Sequence, residues 1–143
     1  MKLTMASGQG PRPLEGVTIV LAEDDDDSRE MLRLALEARG ASLRCVNSAS
    51  AALDAIRERP PDVVVSDIGM PGEDGHAFMR KLRALPPSRG GRTPAVALTA
   101  FAERTDRLKS VYAGFHYHLT KPVDADKLVE ILVGLVRLTR TRP

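Results

Sequence analysis

The chain has 143 residues, of which 43% are apolar and 28% charged, with a formal net charge of +2; this suits one ordinary globular domain with a buried core. No apolar run approaches the ~20 residues of a membrane span, and the N-terminus lacks the apolar stretch of a secretory signal. The mild charge and 3% aromatic content argue against a nucleic-acid surface, and the single cysteine cannot staple a fold, so a reducing cytoplasm is expected.

The first 14 residues, "MKLTMASGQGPRPL", are polar, Gly/Pro-bearing and aperiodic. They are expected to be a flexible leader or linker remnant, with a domain over 15–139 and a tail over 140–143. From Val17 the chain alternates regularly. "VTIVLA" predicts a strand. "SREMLRLALEARG" predicts a helix, with Met31, Leu32, Ala35 and Leu36 at helical spacing and a stop at Gly40. Asp26 or Asp27 is the expected N-cap, and Asp27 with Glu30 has capping-box spacing. "ASLRCV" is a strand in which Cys45 reads as a small structural residue, and "SASAALDAIRER" is a helix halted by Pro60-Pro61. "DVVVSD" is a strand, "HAFMRKLRAL" a helix, "SRGGR" a loop and "TPAVALTA" a strand. "ERTDRLKSVYAG" predicts a helix with Leu108, Val111 and Tyr112 on one side. "FHYHLT" is a short strand, and "DADKLVEILVGLVRL" is a helix with Leu128, Ile131, Leu132 and Leu135 inward. Five strand–helix units with short connections and apolar strands predict an α/β fold, a parallel sheet with helices on both faces. Its functional crevice should lie beyond the carboxyl ends of the strands.

The chemistry-bearing residues collect at those ends. The first strand runs into Glu23 and Asp24, the third ends at Asp67, the fourth at Thr99, and the fifth is followed by Lys121 and Pro122. If the first and third strands are neighbours, three carboxylates converge. They repel, and some must stay protonated unless a cation joins them. Oxygen-only ligands select a hard cation, and Mg²⁺ suits one or two carboxylates completed by water and phosphate oxygens. Three carboxylates against the one ammonium of Lys121 leave two negative charges, which one divalent ion would neutralise. The valines before Asp67 give it a rigid base, and Gly69, Pro71, Gly72 and Gly75 supply a sharp turn that lets backbone groups approach.

The set "AEDDDDSR", "SDIGMPGEDG", "ALTA" and "LTKPVD", in that order and at those distances, resembles the receiver domain of two-component response regulators over about Val17 to Leu138. It looks most like receivers attached to hybrid sensor histidine kinases. The resemblance implies a flavodoxin-like (βα)5 fold, a five-stranded parallel sheet of order 2-1-3-4-5. It implies Asp67 as phosphoacceptor, Glu23 and Asp24 as the acidic metal-binding pair, and the Gly69 backbone carbonyl as a further ligand of Mg²⁺. Thr99 maps to the switch hydroxyl and Lys121 to the family's lysine, ahead of a usually cis proline at Pro122. The implied function is a phosphorelay step: Asp67 takes a phosphoryl group from a histidine kinase or histidine phosphotransfer protein and slowly loses it to water. That is self-phosphorylation in a signalling domain rather than turnover by an enzyme. The downstream protein partner is left open. Neither nucleic acid nor a membrane is an expected contact of this domain.

His118 departs from the pattern. It lies three residues before Lys121, where the family commonly carries a tyrosine or phenylalanine that moves inward with the strand-four hydroxyl. The imidazole is smaller, polar and titrates near neutrality. It is either part of the Thr99 switch or a partly exposed strand-end residue without one. His76 opens a helix, His116 is expected to face solvent, and the three histidines form no metal-ligand set. A haloacid-dehalogenase-type phosphatase would want a second aspartate where Gly69 stands. A flavin binder would want a hydroxyl/glycine phosphate loop where the acids stand, and an EF-hand would want alternating acids followed by a glycine. The remaining rival is a degenerate receiver that serves only as a docking module.

Overall fold

The computed structural model describes residues 12–70, 72, 74–100 and 113–140. The strands are β1 (Thr18–Ala22), β2 (Ser42–Val46), β3 (Val63–Asp67), β4 (Ala95–Thr99) and β5 (Tyr117–Thr120). The helices are α1 (Asp26–Ala38), α2 (Ala49–Glu58), α3 (Gly75–Arg83) and α4 (Ala125–Arg140), with a 3₁₀ turn at Pro87–Arg89. The predicted helix over 103–114 lies outside the described residues except for Ala113 and Gly114.

All strand pairs are parallel, and the sheet order is β2-β1-β3-β4-β5. Alternation along the three inner strands divides the interior into two layers. Ile19, Leu21, Val63, Val65, Val96 and Leu98 pack with α1 and α4. Val20, Ala22, Val64, Ala95 and Ala97 pack with α2 and α3. Strands covered on both faces need apolar side chains at every position, which is why "VVV" and "AVAL" read as continuous runs. The edge strands β2 and β5 are only partly buried, as their mixed sequences require.

Several expectations are corrected in detail. The N-cap of α1 is Asp25, not Asp26 or Asp27: its side chain accepts the Ser28 N–H at 2.8 Å from an extended backbone. Asp26 and Asp27 fall in the first turn, where acids complement the helix dipole. Glu30 forms no capping box and pairs with Arg33 instead. Met31 is 63% exposed, and the inward stripe of α1 is Leu32 and Leu36. Inward burial on α4 is complete at Leu128 and Leu132, and it extends to Val129 and Val136, while Ile131 and Leu135 are half-buried.

Part of the stretch expected as a leader is packed on the domain. Leu14 has no exposed surface, belongs to the α1/α4 layer, and donates its N–H to the Arg39 carbonyl at 2.8 Å. Gly40, with φ +100°, permits this approach, since a Cβ there would meet Glu15 N at 2.8 Å. At the other end α4 continues to Arg140, whose guanidinium donates to the Gly16 carbonyl at 3.1 Å and pairs with Asp62 at 3.2 Å.

Candidate functional site

The site is assembled by strand ends. β1 delivers Glu23, whose N–H continues the ladder to the Val46 carbonyl at 3.1 Å and whose side chain has no exposed surface. β3 delivers Asp67, 6% exposed, in register with Leu98 of β4. Carboxylate oxygens of Glu23, Asp24 and Asp67 lie within 4.8 Å of one another. β4 ends at the buried Thr99, which is paired with Thr120. The N–H of Lys121 donates to the Thr99 carbonyl at 2.7 Å, and the Lys121-Pro122 peptide is cis.

Lys121 bridges the acids from the far side. Its Nζ is 2.9 Å from Glu23 Oε1 and 3.3 Å from Asp67 Oδ2. The second oxygen of Glu23 accepts the Asp25 N–H at 3.2 Å, and Asp67 Oδ1 accepts the Gly69 N–H at 3.1 Å. Burial pushes the Glu23 carboxyl above its ordinary value; the Lys121 and Asp25 hydrogen bonds oppose this and the charge of Asp67 reinforces it. Burial disfavours the Lys121 cation, but the Glu23 bond and the neighbouring carboxylates outweigh it and raise its value. The Ser28 hydrogen bonds hold Asp25 below the usual carboxylate range.

Three carboxylates against one ammonium leave two uncompensated negative charges in a largely buried setting. The donor set is all oxygen, and it fits a hard divalent cation. Among the described residues, a substituent at Gly69 would meet Asp67 Oδ1 at 3.9 Å, so the loop backbone passes close to that carboxylate. Beside the acids is a cavity of about 180 Å³ lined by Glu23, Met31, Leu32, Lys121, Pro122 and Val123 among others. Met31, at helical spacing with Leu32 and Ala35 yet largely exposed, forms part of that wall.

The sequence reading did not single out Arg29. Its Nη1 donates to the Glu23 carbonyl at 2.9 Å and its Nη2 pairs with Asp26 at 2.6 Å, which ties the first turn of α1 to the end of β1. The i,i+3 spacing of Asp26 and Arg29 was the available sequence signal. His118 is half-buried on β5, in register with Ala97. Ala97 and Thr99 are two residues apart, so His118, Ala97 and Thr99 share one side of the sheet. His76 is the second residue of α3, with its ring edge-on to Phe115 at 6.5 Å. His116 is exposed as expected but is anchored on one side, as described below.

A doubly wound parallel sheet with its acids at the carboxyl ends of the adjacent first and third strands, and a lysine reaching them from the end of the fifth, defines an α/β domain of flavodoxin-like order with its site at the topological switch point. Residues 19–133 match the family model of the response regulator receiver domain, and the chain belongs to that family, a domain of two-component signalling. It is 38% identical over 119 residues to an uncharacterized 14.6 kDa protein of Leptolyngbya boryana, covering 83% of this chain and 89% of that one. It is 34% identical over 116 residues to the sensor histidine kinase GacS of Pseudomonas protegens, covering 80% of this chain but only 13% of GacS. Among solved structures it is similar to the receiver domain of the sensor histidine kinase PA1611 from Pseudomonas aeruginosa, determined with magnesium in the active-site cleft. The TM-score is 0.78 and the identity 29%, with 85% of this chain and 98% of that one covered. Among the described residues, no helix is long and apolar enough to cross a membrane.

Proposed function

We propose that this domain accepts a phosphoryl group on Asp67 from a phosphohistidine of a histidine kinase or histidine phosphotransfer protein, and later releases it to water. The observation that carries the reading is the position of Asp67. It is held at the rigid end of β3, within 4.8 Å of the Glu23 and Asp24 carboxylates, with Lys121 Nζ 3.3 Å from its Oδ2. A carboxylate oxygen of Asp67 attacks phosphorus, the P–N bond to the donor imidazole breaks, and an acyl phosphate forms. Such a transfer needs positioning and charge neutralisation more than covalent help.

The residues divide this work. Asp24, Asp67 and the Gly69 carbonyl would hold Mg²⁺, and Glu23, held by Lys121, would assist through water. When bound, Mg²⁺ neutralises the acids and the incoming phosphoryl charge. Lys121 supplies a second positive charge to the phosphoryl oxygens. Thr99 donates a hydrogen bond to the acyl phosphate, and His118 on the same side of the sheet responds to that movement. The reading places the domain in the cytoplasm, where its kinase partner's phosphohistidine is available.

The test is incorporation from a small-molecule or protein phosphodonor with and without Mg²⁺. The wild type should acquire a label that is stable to neither acid nor hydroxylamine. Asp67→Asn should acquire none. A folded wild type that takes up no label from any donor would instead mark a receiver that only docks, and persistent stoichiometric labelling of Asp67→Asn would remove the assignment to this residue.

A further inference from the structure

At the end of the sheet opposite Asp67, one histidine joins the starts of β4 and β5. The backbone N–H of His116 donates to the Ala95 carbonyl at 2.8 Å. The ring reciprocates, with Nδ1 3.2 Å from the Ala95 backbone nitrogen. Ala95 is completely buried. Arg83 Nη2 lies 3.4 Å from the same Nδ1. A backbone N–H and a guanidinium can only donate, so Nδ1 must present its lone pair to both. The ring is therefore neutral, with its hydrogen on Nε2.

Arg83 is not free to swing aside. Its Nε and Nη2 donate to the Gly114 carbonyl at 3.1 and 2.7 Å, and its Nη1 donates to the carbonyls of Gly91 and Thr93 at 3.0 and 2.7 Å. The ring and this guanidinium border a cavity of about 270 Å³, whose other lining residues are Gly91, Arg92 and Gly114. Among the described residues that line the cavity with His116, the charged groups are Arg83 at the end of α3 and Arg92 from the loop before β4. No carboxylate lines the cavity among the described residues.

We propose that His116 is an acid-sensitive clasp between β4 and β5, closed by the neutral ring and opened when Nδ1 takes a proton. A proton on Nδ1 would set a donor against two donors, beside two guanidinium groups. The charged ring must therefore turn out to solvent and release the Ala95 N–H. The closed state resists protonation relative to the open or unfolded chain. The clasp's contribution is accordingly complete above the ordinary histidine value of ~6.5 and is lost as pH falls below it. The two strands it joins carry Thr99 and lead to Lys121, so the clasp acts on the register of the site without touching it.

The experiment is an NMR titration of the whole chain from pH 7.5 to 5, following the ring nitrogens of His116 and the exchange of the Ala95 amide, with His116→Asn as a companion. Asparagine can offer an acceptor from the same position and does not titrate. At pH 7.5 His116 should show an unprotonated Nδ1 and a protonated Nε2, and its midpoint should lie at least about half a unit below ~6.5. At pH 5 the Ala95 amide should exchange roughly tenfold faster than in His116→Asn, while at pH 7.5 the two should agree. A proton on Nδ1 at pH 7.5, a midpoint at or above ~6.5, or the same pH response of Ala95 in both proteins would overturn the proposal. If His116→Asn does not fold, the tautomer and midpoint of the unmodified chain decide it.

Discussion

Lys121 Nζ lies 2.9 Å from Oε1 of Glu23, a carboxylate with no exposed surface. The pair holds an acid in the interior that burial alone would drive to its neutral form, and it spends the ammonium partly on Glu23 rather than wholly on Asp67. Under the proposed function, metal binding and phosphoryl transfer make opposite demands on this lysine. Removing it makes the pocket more negative, which favours a cation, but strips a positive charge from the group being transferred. Lys121→Ala should bind Mg²⁺ at least as tightly as the wild type by calorimetry while accepting phosphoryl groups at least ~tenfold more slowly. Weaker Mg²⁺ binding with an unchanged transfer rate would reverse the roles assigned to the two acids and the lysine.

The raised Glu23 value gives a direction in pH. A proton on Glu23 is retained by the folded chain at higher pH than by the unfolded one, so in the absence of a divalent ion this group favours the folded state at low pH. That contribution declines as pH rises above the ordinary value of 4.5. Mg²⁺ needs the acids ionised, so proton and metal compete. The increase in melting temperature on saturating with Mg²⁺ should therefore be larger at pH 8 than at pH 5. Equal increments at the two pH values would show that Glu23 is already ionised without the metal.

Asp24 is the half-buried member of the acidic pair and is unencumbered by the Lys121 bond that holds Glu23. Asp24→Ala should weaken Mg²⁺ binding at least ~tenfold, about 1.4 kcal/mol. Unchanged affinity in a calorimetric titration would place the metal elsewhere.

The five strands and the acids at their ends are legible because two periodicities and the strand-end positions agree, whereas the strand order comes from the family resemblance. "VVV" and "AVAL" can be buried on both faces only in a covered parallel sheet; Glu23, Asp24, Asp67 and Thr99 stand at the ends of such runs, and Lys121 follows the half-buried edge strand β5. What escaped depends on contacts between segments remote in sequence. Leu14 sits among glycines, prolines and charges, and nothing local shows that it meets the carbonyl of Arg39. Met31 has helical spacing with Leu32 and Ala35 but sits over the cavity beside Lys121. The clasp at His116 needs the β4–β5 register before Ala95 can be seen opposite it. The cap falls to Asp25 because its backbone is extended and its side chain accepts the Ser28 N–H, a geometry that apolar spacing does not specify.

Leu14 provides a stability test of where packing begins. It fills the α1/α4 layer from a stretch that composition marks as a leader. Leu14→Ala should cost about 2–5 kcal/mol in urea unfolding, the range for deleting a fully buried leucine. A cost near zero would mean that the chain before Gly16 contributes nothing to the core.

His118 occupies a half-buried place on β5 where the resembled family carries a larger ring, and it shares a side of the sheet with Thr99 through the Ala97 register. If Thr99 moves toward a phosphoryl group on Asp67, the space it leaves lies on that side, two residues along the neighbouring strand. The imidazole can follow with less volume than tyrosine and with polar atoms that must find partners wherever it goes. Loading the site with beryllofluoride and Mg²⁺ should therefore shift the His118 ring resonances and its titration. His118→Tyr should still be phosphorylated on Asp67, because the ring takes no part in the transfer, but should bind its downstream partner with altered affinity. Identical His118 resonances and titration with and without beryllofluoride would remove the residue from the switch and leave the chemistry at Asp67 as argued.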